Sequence, residues 1–153
     1  MSYRSSSGAA TTALLSALRT TAFLAGADIT DGPGLASTAN PECLSVGYTG
    51  GTDEYAIEGT ITPEGMAGTR DRENYDIHCS ASVLNGDQDL AAARDRALAL
   101  HGLVGDLLRA DSTLGGAVLN ASLSDWSLRG DQTNSGALAR LRFTVNCDAY
   151  TIT

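Results

Sequence analysis

The chain contains no lysine: its ten basic residues are all arginine, set against eighteen acids for a net charge of −8. A protein that coats nucleic-acid phosphates needs a cationic surface, so the balance argues against that role. Aromatic residues make up only 5% of the chain, which leaves an aliphatic core and too few rings for a single-strand stacking platform. The three cysteines, Cys43, Cys79 and Cys147, form no CxxC or Cys/His spacing, so neither a disulfide framework nor a zinc knuckle is expected, and we read them as reduced thiols. No stretch approaches the roughly 20 apolar residues of a membrane span. Only two histidines, His78 and His101, are available as general bases.

What is present is globular in kind. The chain has 153 residues, 42% hydrophobic and 18% charged, enough for one domain with a real core. The N-terminal region imitates a leader, with Arg4, the apolar runs Ala13–Leu18 and Ala22–Ala27, and a small-residue Ala25-Gly26-Ala27 ending. Arg19, Thr20 and Thr21 interrupt the stretch where a signal sequence is continuous, so secretion is not the expectation.

Periodicity predicts a helix over Ala9–Ala25, where Leu14, Leu15, Leu18, Ala22 and Leu24 recur at three- to four-residue spacing. Gly32-Pro33-Gly34 and Pro41 then predict a long loop from Asp28 to Glu42. Alternation predicts strands over Leu44–Tyr48, with a turn at Gly50-Gly51, over Tyr55–Ile61 and over Tyr75–Val83. A loop over residues 62–72 separates the last two. A second helix is expected from Leu90 to Asp111, capped by Asp87 or Asp89, with Leu98, Leu103 and Leu108 widening its apolar surface. Gly102 and Gly105 each cost that helix about 1 kcal/mol against alanine, so close backbone approach is expected to offset them. Val118–Leu128 reads as a strand with a bulge near Ser124, Arg129–Gly136 as a polar turn, and Ala139–Ala149 as a closing strand. The order is helix, three strands, helix, two strands. Apolar residues on one parity only imply an antiparallel sheet of about five strands, covered on one face by two helices in a two-layer α+β domain.

Chemistry is sparse. His78 and Cys79 are strand neighbours pointing to opposite faces and cannot form a dyad. His78 shares the polar parity with Asp76 and reads as a solvated strand histidine, and His101 as a packing or interface residue. The carboxylates Asp28, Asp31, Asp53, Glu64, Asp71, Asp87 and Asp89 are scattered, and no calcium-loop spacing appears. Gly32-Pro33-Gly34 and Gly47–Gly51 lack phosphate-loop patterns, and Arg129-Gly130-Asp131 reads as a hairpin turn rather than an adhesion tripeptide. We therefore expect no enzyme activity, no metal and no cofactor.

Surface for assembly is the remaining signal. An apolar helix carrying Gly102 and Gly105 suits a subunit that packs against others. The 62–72 loop is longer than the two to five residues a passive hairpin turn usually uses, and it carries Met66 flanked by Glu64, Arg70, Asp71 and Arg72. These seven residues are the candidate assembly contacts.

Two runs sharpen this. Leu90-Ala91-Ala92-Ala93-Arg94-Asp95-Arg96-Ala97 is followed by Leu107-Leu108-Arg109-Ala110-Asp111-Ser112-Thr113-Leu114-Gly115-Gly116-Ala117-Val118-Leu119. This pattern resembles the tail terminator (tail completion) family of long-tailed actinobacterial phages, over about Glu54 to Ala149 and most closely at Leu107–Leu119. The resemblance implies a helix, antiparallel strands, a second helix and closing strands. It also implies a ring of six copies on the tail tube that stops polymerisation and meets the head connector, with DNA only as transiting cargo. No cofactor, covalent chemistry or membrane partner is implied, and the location would be the virion tail or neck after assembly in the host cytoplasm. Two other classes stay open: another head-to-tail joining or tail-tube subunit, and a secreted non-enzymatic binding domain.

Overall fold

A computed structural model of the chain describes residues 3–21, 24, 26–48, 54–64 and 70–152. The fold is α+β, with two helices and a six-stranded sheet among the described residues. The first helix, α1, spans Ser7–Arg19 and buries Ala10, Leu14, Leu15 and Leu18. It ends earlier than the apolar spacing predicts because two threonines turn back on it. Thr20 Oγ1 donates to the carbonyls of Ser16 and Ala17, and Thr21 Oγ1 donates to Ala17, which offers the backbone an alternative to further helix. The second helix, α2, runs Leu90–Ala110, with Asp89 accepting from the Ala92 amide as its N-cap. Its buried stripe is Ala93, Ala97, Leu100, Val104 and Leu108.

The strands are β1 (Asp28–Asp31), β2 (Glu42–Val46), β3 (Ile57–Thr62), β4 (Arg72–Asn85), β5 (Asn120–Thr133) and β6 (Gly136–Tyr150). β4 is central. One side pairs with β6 from Arg72–Tyr150 to Asn85–Ala137, while β3 and β2 lie end to end along the other. Where they meet, the amides of Gly47 and Tyr48 both donate to the His78 carbonyl, and the His78 amide donates to Ala56. β2 and β3 thus lie on one strand line along β4. The expected turn at Gly50-Gly51 lies outside the described residues.

Three expectations are corrected. The sheet is mixed rather than wholly antiparallel, because β1 pairs in parallel with β2 inside the expected 28–42 loop. A four-residue strand with one isoleucine between acids carries no alternation to reveal it. β5 extends to Thr133 through the expected 129–136 turn, which shrinks to Asn134 and Ser135. Lying at the sheet edge, β5 is mostly exposed and needs no apolar alternation. The polar face is also not wholly uncovered. The Ala36 amide donates to Ser82 Oγ at 2.8 Å, Ser45 Oγ donates to the Gly34 carbonyl, and Ala36, Cys43 and Leu84 form a small cluster there. The bulge near Ser124 is present, as a register shift between Leu123 and Trp126.

Both helices cover the face that carries Tyr75, Ile77, Cys79, Ala81 and Val83 of β4 and Leu141, Phe143, Val145 and Cys147 of β6. The N-terminus of α1 is seated on a buried acid: Glu73 Oε1 accepts from the Ser6 amide at 2.7 Å and from Ser6 Oγ at 2.6 Å. α2 is tied to β2 by a two-pronged contact from Arg96 to Glu42, at 2.6 and 3.0 Å.

Candidate assembly surfaces

The seven candidate residues fall in two places, and Met66 lies outside the described residues. At the root of the 62–72 loop, Arg72 grips Asp148 through Nε at 2.9 Å and Nη2 at 2.6 Å. That hydrogen bond holds the Asp148 carboxyl below the usual carboxylate range. Glu64 is a looser partner of Arg72, at 4.0 Å. The Asp71 carboxylate accepts from the Tyr3 hydroxyl at 2.8 Å and from the Glu64 amide at 3.3 Å. Its backbone exchanges bonds with Thr151, and the guanidinium of Arg70 lies over the Tyr150 ring. Asp71 and Arg72 therefore lash the loop root to β6 and to the N-terminal segment, where Arg4 bridges Ile152. Glu64 and Arg70 are the exposed members of the group.

Gly102 and Gly105 line a groove of about 550 Å³ between α2 and β5, with His101, Asp106, Arg109 and Leu123. A Cβ on Gly105 would meet Leu123 Cδ1 at 3.0 Å, but one on Gly102 would meet nothing within 4 Å. The close approach expected for both glycines is thus supplied within the chain for Gly105 alone. His101 packs edge-on against Phe143, its Nε2 is buried without a described partner, and burial lowers its pKa. Elsewhere on these two elements, Trp126 of β5 is 58% exposed and Leu98 of α2 is exposed as well. Sequence reading missed Trp126, although a single tryptophan in an aromatic-poor chain, flanked by serine and aspartate, was a usable signal.

The segment that carries the resemblance is a self-contained turn. Asp111 accepts from the Thr113 hydroxyl and amide and from the Gly115 amide, which keeps its carboxyl below the usual range. Gly115 and Gly116 adopt positive φ of 69° and 92°, so the chain can reverse from α2 into β5. Its motif builds geometry and presents no reactive group.

On the polar face, His78 is less solvated than its parity implies: Nε2 lies 3.1 Å from Glu58 and Nδ1 3.4 Å from Thr144 Oγ1. A hydroxyl, an imidazole and a carboxylate in line invite comparison with a catalytic triad. Thr144, however, is buried in mid-strand, and its contact is one rung of a polar ladder that continues through Asn146 to Asn74 and Asp76. Next along β6, Arg140 bonds the Tyr48 hydroxyl and Arg142 pairs with Glu54, with both guanidinium groups over the Tyr48 ring.

All three cysteines are free and buried. Burial pushes the thiols of Cys79 and Cys147 up to about 12 and raises that of Cys43. A thiol reagent at neutral pH is therefore expected to label none in the native protein and three per chain in denaturant without reductant. Fast native labelling, or fewer than three in denaturant, would contradict this.

Among the described residues no group of three His, Cys, Asp or Glu side chains is placed to hold a metal, and no helix is long and apolar enough to cross a membrane. In comparisons with known proteins, no family model and no curated protein matches the chain.

Proposed function

We propose that the chain is a structural, non-catalytic subunit that works as a ring of like copies. Within that class, the reading best supported is a phage tail terminator that ends growth of the tail tube and presents a surface to the head connector. The observation that carries it is the α2–β5 groove: a long helix keeps a glycine at position 102 facing space that no described residue fills. Such a residue costs the isolated subunit about 1 kcal/mol, and contact with a neighbour offsets that cost. The turn at Asp111–Gly116 adds support, because the segment most like the terminator family is architectural here too. On this reading the ring meets the tube protein on one side and the connector on the other, DNA only passes through, and the virion neck is its location.

The test is to add purified chain to polymerising tail tubes of the phage that encodes it, alongside a variant with Glu64–Thr69 replaced by Asn-Gly. The wild type is expected to stop tube growth and yield tails that join heads. The variant is expected to melt at nearly the same temperature, because the half-exposed Glu64–Arg72 pair it removes contributes little, yet to leave overlong or headless tails. Tubes that keep growing with the wild-type chain would remove the terminator reading, and binding to the connector alone would assign the chain to another joining subunit. Normal tails from the shortened variant would show that the loop is not an assembly arm.

A further inference from the structure

Among the described residues the sheet has two bare edges of different character. β3 pairs with β4 along one side only. The bond from the His78 amide to the Ala56 carbonyl sets the antiparallel alternation, so the amides and carbonyls of Ile57, Gly59 and Ile61 point away from β4. No described residue takes them. The strand reads Ile-Glu-Gly-Thr-Ile-Thr, β-branched at four of six positions, and Ile61 is 49% exposed. An uncovered strand of this composition is a template for pairing, and natural proteins blunt or cover it. The neighbouring edge, β1, is blunted by Arg19, whose guanidinium donates to the Ile29 carbonyl. β3 has no such guard among the described residues.

The opposite edge is β5. Beyond its bulge, the alternation of the β6 ladder leaves the backbone of Trp126, Leu128 and Gly130 on the free side. Trp126, paired with Phe143 and so on the helix-covered side, is 58% exposed. The two edges match face to face. On the helix-covered side, β3 presents Ile57, Gly59 and Ile61 while β5 presents Trp126, Leu128 and Gly130. On the polar side, β3 carries Glu58, its side chain 58% exposed, and β5 carries Arg129, 76% exposed. Alongside Arg129 its partner Asp131 is less exposed, so the guanidinium is the more available charge for a neighbour's carboxylate.

We propose that the free edge of β3 in one copy docks onto the free edge of β5 in a second copy. The junction continues the sheet between subunits, seats Ile61 and its neighbours against Trp126 and the Gly102 side of α2, and brings Glu58 to Arg129. Because the two edges are unlike, the junction is heterologous and propagates from copy to copy until rotation closes it. This deepens the ring reading above and rests on it for the number of copies, but the junction itself is a statement about self-association alone.

The experiment uses Ile61→Pro and Trp126→Asp. Ile61→Pro removes an amide that points away from β4, so the subunit's own ladder stays intact. Trp126→Asp removes the exposed ring and places a charged carboxylate on the helix-covered side, against the other copy's Ile61. Ile61→Lys and Gly102→Leu serve as independent variants should either of the first pair lose its native melt. By native mass and sedimentation, the wild type is expected to form a closed oligomer and each variant alone a monomer. An equimolar mixture of Ile61→Pro and Trp126→Asp retains one good β5 and one good β3, and is expected to give a 1:1 dimer and nothing larger. A monomeric wild type, variants that assemble like it, or a mixture that stays monomeric would overturn the junction. A wild-type oligomer that breaks down in the variants but never affects tail growth would support the junction and remove the terminator reading instead.

Discussion

Replacing Glu73 with alanine is expected to remove about 3 kcal/mol of stability, lowering the melting temperature by roughly 10 °C for a chain of this size. Glu73 is 4% exposed and Ser6 2% exposed, so water cannot substitute for what is lost. The carboxylate accepts both the Ser6 amide and the Ser6 hydroxyl, and Ser6 Oγ also lies 3.0 Å from the Tyr75 hydroxyl. α1 has no acidic residue in its first turn and no side-chain cap of its own, so Glu73 supplies from the sheet the negative charge that a helix N-terminus favours. Alanine leaves the Ser6 amide buried and unpaired, the costlier half of a broken hydrogen bond. Glu73→Gln keeps an acceptor but not the charge, and is expected to lose about half as much. Denaturant titration of both variants measures this. Amide exchange should place the loosening in α1 and in the Arg4–Ile152 bridge beside it. A Glu73→Ala protein within 1 kcal/mol of wild type would show that α1 is held by its leucines alone.

That seating was invisible in the sequence, for a definite reason. Sixty-seven residues separate Ser6 from Glu73, and on β4 the acid occupies a position of the apolar parity, two residues before Tyr75. Local pattern would place such a residue outside the core. A related limit hid β1 and the far half of β5. β4 and β6 were legible because helices cover one of their faces, which forces strict alternation from Tyr75 to Val83 and from Ala139 to Ala149. β1 and the far half of β5 lie at edges, where exposure on both faces frees composition from that constraint, whereas β3, an edge strand too, was still legible from the shared parity of Tyr55, Ile57 and Ile61. Among the candidate contacts, the two α2 glycines could be read because a glycine within a helix is a local anomaly. Asp71 and Arg72 were read for their charge, and only the fold reveals that their partners are Tyr3, Thr151 and Asp148.

Two glycines separate structural need from surface need, and alanine is expected to move them in opposite directions. Gly136 opens β6 directly after the Asn134-Ser135 turn, at φ +142°, a conformation that side-chain-bearing residues rarely adopt. A Cβ there would lie 2.2 Å from the Asn85 carbonyl oxygen and 2.8 Å from its carbon, so backbone rather than a flexible side chain would have to yield. Asn85 pairs with Ala137 at the end of the β4–β6 ladder, and the displacement would be carried into the longest pairing in the sheet. Strain and displacement together are expected to cost Gly136→Ala about 4 kcal/mol, with a fall in melting temperature of more than about 10 °C. Gly102→Ala meets open space, removes the entropy penalty of a mid-helix glycine and is expected to gain about 1 kcal/mol, raising the melting temperature by about 3 °C. The same methyl enters the groove proposed to receive a second copy, so native mass at a fixed concentration should show less oligomer even as the subunit melts higher. A more stable subunit that assembles as well as wild type would mean that the glycine at position 102 faces solvent in the assembly. Stability and association moving in opposite directions is an outcome that a helix glycine tolerated without function would not produce.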